Sequence, residues 1–105
     1  MKDKLIKIIN HYGLMKQLKY IHSEYFELDE AIMDYHRSGW DFDYEDAQEL
    51  EKEYSTHIAK ELANVMVMLK QFQYYHEIED KQIEEIMEHK IDRQLERINS
   101  ENKSG

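Results

Sequence analysis

The sequence predicts an all-α helical bundle, and three observations carry that prediction. There is no proline, and only Gly13, Gly39 and Gly105 interrupt 105 residues, so a chain with few turn-formers must turn rarely. Long apolar stripes recur in steps of four and three, the period of one helix face. Hydrophobic residues make up 41% and charged residues 35%, which suits helices with one face packed and the other solvated. A chain of this length forms one domain, here read as residues 1–99, with a core small enough that a partner subunit would add to it.

Leu5, Ile8, Ile9 and Tyr12 predict a short amphipathic helix over residues 3–12 that ends near Gly13. From Leu14 the stripe Leu14, Leu18, Ile21, Tyr25, Leu28, Ile32 steps four, three, four, three, four and predicts a second helix through Arg37. Ser38-Gly39 breaks it. The alternating Trp40-Asp41-Phe42-Asp43-Tyr44 has the period of a strand but no partner strand, so a loop is predicted, with Trp40 and Phe42 folded back and Asp43 near the next N-cap. Helical pattern then runs over residues 44–75, with a kink or break expected near Ser55-Thr56. Its centre is the apolar stripe Ile58, Leu62, Val65, Leu69, Phe72. His76-Glu77-Ile78-Glu79 reads as a second turn. Ile83, Ile86, Met87, Ile91, Leu95 and Ile98 mark a last helix, and residues 100–105 read as a polar, disordered tail.

The formal charge of −9 argues against a nucleic-acid polymer as partner, because binding a phosphate backbone needs a basic surface that releases counterions. Without cysteine there is neither a disulfide nor a thiolate metal site. No apolar run approaches the roughly 20 residues that span a bilayer. Met1-Lys2-Asp3-Lys4 does not read as a secretion signal, so a cytoplasmic chain with no membrane partner is expected.

Two acidic motifs sit beside the two most apolar stripes. Glu24 and Glu27 are three apart, each directly before a stripe residue, and Glu61 and Asn64 repeat that arrangement before Leu62 and Val65. If the two helices pack stripe to stripe, three carboxylates and one amide oxygen converge. Magnesium takes hard oxygen ligands of this kind and shares its shell with water and substrate phosphates. A Glu pair spaced by three also fits an ordinary solvated helix face, and spacing does not choose between the two.

On the last helix Lys90, Arg93 and Arg97 share one face and could meet a triphosphate; they equally suit the C-terminal helix dipole or pairing with Asp92 or Glu96. The six histidines include no pair four apart, against a helical zinc site. Neither a Gly-rich phosphate loop nor a nucleophile elbow is present. The aromatic residues, Tyr20 and Tyr25 among them, read as core or interface. Trp40 is the exception, a loop aromatic able to stack on a base.

In order along the chain, Tyr12-Gly13-Leu14 with Gln17, then Ser23-Glu24-Tyr25-Phe26-Glu27-Leu28, then Lys60-Glu61-Leu62-Ala63-Asn64-Val65, then Lys90-Ile91-Asp92-Arg93 resemble the MazG-type all-α nucleoside triphosphate pyrophosphohydrolases. The resemblance covers roughly residues 11–98. It implies a helical bundle completed by dimerisation, as a homodimer or homotetramer. It also implies Mg²⁺ bound by Glu24, Glu27 and Glu61, with Asn64 a fourth ligand, and cleavage of a nucleoside triphosphate to monophosphate and pyrophosphate. Lys90 and Arg93, with Gln17, would then bind substrate, and the three glutamates would be the catalytic carboxylates. The sequence departs from that family at two points. Ser23 stands where the family has a further glutamate, and Asn64 stands where it has aspartate; an amide can offer a carbonyl oxygen but can neither neutralise charge nor act as a base. Two other readings follow: a catalytically impaired relative that binds a nucleotide or a protein partner in a regulatory role, or a structural module that binds other helices.

Overall fold

The computed structural model describes residues 1–38 and 47–104, and its described residues form four helices: α1 (Lys2–Tyr12), α2 (Leu14–Ser38), α3 (Ala47–Tyr75) and α4 (Asp80–Ser104). The fold is an all-α helical bundle, as predicted. The expectations for Trp40, Phe42, Asp43 and Tyr44 lie outside the described residues. Where the sequence reads as one domain, the chain divides into two compact units, Met1–Tyr75 and His76–Gly105.

In the first unit, α1 gives way to α2 at Gly13. Its backbone N–H donates to the Ile9 carbonyl (2.8 Å) and its carbonyl accepts from the Gln17 N–H (3.1 Å), so one residue ends one helix and begins the next. That role requires φ of +91°, where a side chain would be strained. Space is not the reason, since a Cβ there would meet nothing within 4 Å. α1 packs on α2 and α3. It buries Leu5 and Ile9, and full burial of a side chain like Ile9 contributes about 1.5–3 kcal/mol.

α2 and α3 pair as an antiparallel hairpin. Gln17 meets Gln71 near one end, Glu24 meets Glu61 in the middle, and Tyr35 meets Glu51 near the other, so rising numbers on one helix meet falling numbers on the other. α3 is continuous through Ser55-Thr56, where a kink or break was expected. The physical reason is local: the Thr56 hydroxyl donates to the Lys52 carbonyl one turn back (2.8 Å) and so does not compete with the helix.

The rotational phase of both helices differs from the sequence expectation. The inward residues of α2 are Gln17, Ile21, Glu24, Leu28, Ala31 and Tyr35, and those of α3 are Tyr54, Ile58, Glu61, Val65, Met68 and Gln71. Ile21 and Leu28 on α2 and Ile58 and Val65 on α3 belong to the expected stripes as well, so each packed face is turned from the expected one by roughly 60°. Glu24 and Glu61 therefore lie within the packed face, not on its flank. Leu18, Tyr25 and Ile32 on α2 and Leu62 and Leu69 on α3 remain 38–64% exposed. Because the helices are antiparallel, the same turn carries both sets to one side of the hairpin, where they form an apolar face.

In the second unit, the turn after α3 is made without glycine. Glu77 takes φ of +58°, the left-handed conformation in which a helix commonly ends. α4 continues through Ser104, a correction to the disordered tail read over residues 100–105. Ser100-Glu101-Asn102-Lys103 contains no helix breaker, and Glu101 follows Arg97 by one turn. Ile86, Met87, Ile91, Leu95 and Ile98 on α4 are about half exposed.

Candidate metal centre

The inward turn of α2 and α3 creates the site. Helical spacing puts Glu24 and Glu27 one turn apart on α2, and the hairpin brings Glu61 opposite them. One carboxylate oxygen from each lies within 4.8 Å of the others. Glu24 is buried, Glu61 is half-buried and Glu27 is exposed, so the cluster runs from the hairpin interior to its surface.

Two carboxylate oxygens of these residues are unsatisfied. Glu24 Oε2 and Glu61 Oε2 are both out of contact with solvent and have no hydrogen-bond partner. Buried polar atoms in folded proteins are paired almost without exception, and each orphan calls for a cause. The carboxylates also repel: two unit charges at the 4.8 Å limit of the cluster's spacing interact by roughly 3 to 4 kcal/mol at an effective dielectric near 20. A cation would satisfy both oxygens and reverse the sign of that interaction. This donor set, all carboxylate oxygen, suits a hard divalent ion such as magnesium and has nothing a thiophilic metal would select.

The electrostatics register the same crowding. The negative charge of Glu24 is the main reason the Glu27 carboxyl is held above its ordinary range, followed by desolvation, the charge of Glu61 and a hydrogen bond to Glu61. Tyr20, one turn before Glu24, donates its hydroxyl to the Glu24 carboxylate. That bond first, and the carboxylate's charge second, hold the phenol above its ordinary value.

The other predicted site residues stand as follows. Gln17 lies two turns before Glu24 on the same inward stripe, buried, with its Nε2 donating to Gln71 Oε1 at 2.9 Å. Asn64 is exposed on α3, one turn beyond Glu61. Lys90 and Arg93 are exposed on α4, in the second unit. Trp40 lies outside the described residues. Sequence reading assigned no role at the site to Tyr20, although its position four before Glu24 was the available signal, and it missed the buried amides of Gln71 and Gln73. Among the described residues no helix is long and apolar enough to cross a membrane. No family model, curated protein or solved structure matches this chain.

Proposed function

We propose that the protein is a magnesium-dependent nucleoside triphosphate pyrophosphohydrolase of the MazG-like type, converting a nucleoside triphosphate and water to the monophosphate and pyrophosphate. The observation that carries this reading is the pair of buried, unpartnered oxygens of Glu24 and Glu61 beside the Glu27 carboxylate. Glu24, Glu27 and Glu61 would hold the ion, with Asn64 offering a neutral oxygen from the next turn of α3. Magnesium, when bound, offsets phosphate charge and lowers the pKa of coordinated water. Glu27, the exposed member of the three, is suited to take the proton of the attacking water. Gln17 and Trp40 are proposed substrate residues, Trp40 by stacking on the base.

The apolar face formed by Leu18, Tyr25, Ile32, Leu62 and Leu69 supports a homo-oligomer, since contiguous apolar surface of this kind marks an interaction site. The test of the activity is direct. Purified protein with Mg²⁺ is offered a panel of standard and modified nucleoside triphosphates, and pyrophosphate release is expected from at least one. Silence across the panel at high enzyme concentration overturns the reading.

A second reading is favoured by Asn64, which occupies the position of an expected acid: the chain binds a nucleotide or partner in a regulatory role with little turnover. It predicts stabilisation by nucleotide without pyrophosphate release.

A further inference from the structure

We propose that Lys60 is a substrate-binding residue of the metal centre, its ammonium group meeting the phosphate chain of a nucleoside triphosphate on the open side of the carboxylate cluster. The inference rests on the reading of Glu24, Glu27 and Glu61 as magnesium ligands of a pyrophosphohydrolase. The register of the hairpin follows from two contacts, Gln17 Nε2 to Gln71 Oε1 at 2.9 Å and the Tyr35 hydroxyl to Glu51 Oε1 at 3.2 Å. They set residue 27 of α2 level with residues 59–61 of α3, so Lys60 stands across the groove from Glu27.

Rotation places both on one side. Glu27 follows the inward Glu24 by three residues, about 60° off the packed face, and Lys60 precedes the inward Glu61 by one, about 100° in the same sense. On antiparallel helices the same sense leads to the same side of the hairpin, here the side away from Tyr25 and Leu62. Asn64 follows Glu61 by three and joins them there. All three residues are exposed, so this is the side on which the cluster meets solvent.

Charge supplies the reason for a cation here. Three carboxylates outnumber the two positive charges of one magnesium ion, so the loaded centre keeps net negative charge and repels an arriving triphosphate. Lys60 brings a positive charge to the rim, and among the described residues no hydrogen bond or ion pair occupies its ammonium group. A lysine is a compact charge on a flexible stem, suited to follow a phosphate oxygen. Of the other lysines on α3, Lys52 lies two turns away and Lys70 sits over the Tyr74 ring at 5.5 Å.

The experiment uses the full chain and two probes in titration calorimetry, Mg²⁺ alone and the magnesium complex of inorganic tripolyphosphate. Lys60→Met is expected to bind Mg²⁺ as tightly as the wild type or more so, because a cation beside the centre opposes the metal. It should bind tripolyphosphate about tenfold more weakly. Lys60→Arg should recover most of that loss, and Lys52→Met should match the wild type with both probes. Weaker binding of both probes by Lys60→Met, with a lower metal-free melting temperature, means a merely structural role and overturns the proposal. Unchanged tripolyphosphate affinity in Lys60→Met, or a wild type that binds Mg²⁺ but no tripolyphosphate, also overturns it while leaving the metal site standing. If the wild type binds no Mg²⁺, the metal reading fails and this inference fails with it.

Discussion

Glu24 on α2 and Glu61 on α3 face one another across the hairpin, each with a buried carboxylate oxygen that no donor satisfies. Cation binding should therefore stabilise the fold. At a hundredfold excess over the dissociation constant, a ligand of the native state adds about 2.7 kcal/mol. For a domain of this size that corresponds to a rise of about 10 °C or more in melting temperature. Glu24→Gln or Glu61→Gln should abolish most of the Mg²⁺-induced rise while leaving the metal-free protein as stable or more so, because the repulsion is relieved and the new amide can donate to the remaining carboxylate. Differential scanning fluorimetry with and without Mg²⁺ checks both halves.

The Glu27 carboxyl gives a pH signature. Its proton affinity is higher in the folded than in the unfolded chain, chiefly because of Glu24's charge, so the folded state binds more protons over the window above the ordinary value of 4.5. The stability linked to that proton is fully present below this value and is lost as pH rises through the folded value. Metal-free wild type should thus lose stability relative to Glu27→Gln as pH rises from about 4.5 toward neutrality. Saturating Mg²⁺, which favours the carboxylate, should flatten the difference. Thermal melts of the two proteins across that range test the sign.

The first helix, its end at Gly13 and the run of the second helix were legible because their causes are local. Gly13 sits at a φ that favours glycine, and a stripe stepping by three and four can only be helical. The convergence of Glu24, Glu27 and Glu61 was legible from their matched spacing. The phase of the helices was not. Each of α2 and α3 carries enough apolar residues to define two adjoining stripes, and periodicity cannot say whether Tyr25 and Leu62 or Glu24 and Glu61 face the sister helix. The hairpin turns the glutamates inward and leaves Tyr25 and Leu62 exposed.

Asn64 separates enzyme from impaired relative. It is exposed on α3, so exchanging its amide for a carboxylate disturbs no core packing. Asn64→Asp should raise pyrophosphate release, by about tenfold if the added charge strengthens the magnesium site. Steady-state assays of the two proteins decide: equal rates show that the amide is no impairment.

Glu77 offers a test of backbone strain apart from the metal centre. A side-chain-bearing residue in the left-handed region costs roughly 1–2 kcal/mol relative to one that adopts it freely. Glu77→Gly should accordingly stabilise the turn after α3, with part of the gain offset by the greater freedom of glycine in the unfolded chain. A net gain of about 0.5–1 kcal/mol in urea denaturation is expected, and Glu77→Ala, which removes the side chain but keeps the Cβ, should not reproduce it.

Gln17 and Gln71 form a buried amide pair at the end of the hairpin nearest α1, and Gln71 spends its own N–H on the Met68 sulfur at 3.7 Å, a weak acceptor. Gln71→Leu leaves the Gln17 amide buried without its acceptor, which costs about 1–3 kcal/mol. Replacing both by leucine removes donor and acceptor together and should be close to neutral, so the pair should show strong coupling in a double-mutant cycle followed by urea denaturation. Gln17 was expected from the resemblance to bind substrate, and the same cycle run with substrate binding as the readout separates the two roles. A core pair changes stability with either single substitution and leaves the affinity for nucleotide alone, whereas a substrate contact weakens nucleotide binding in Gln17→Leu whatever stands at position 71.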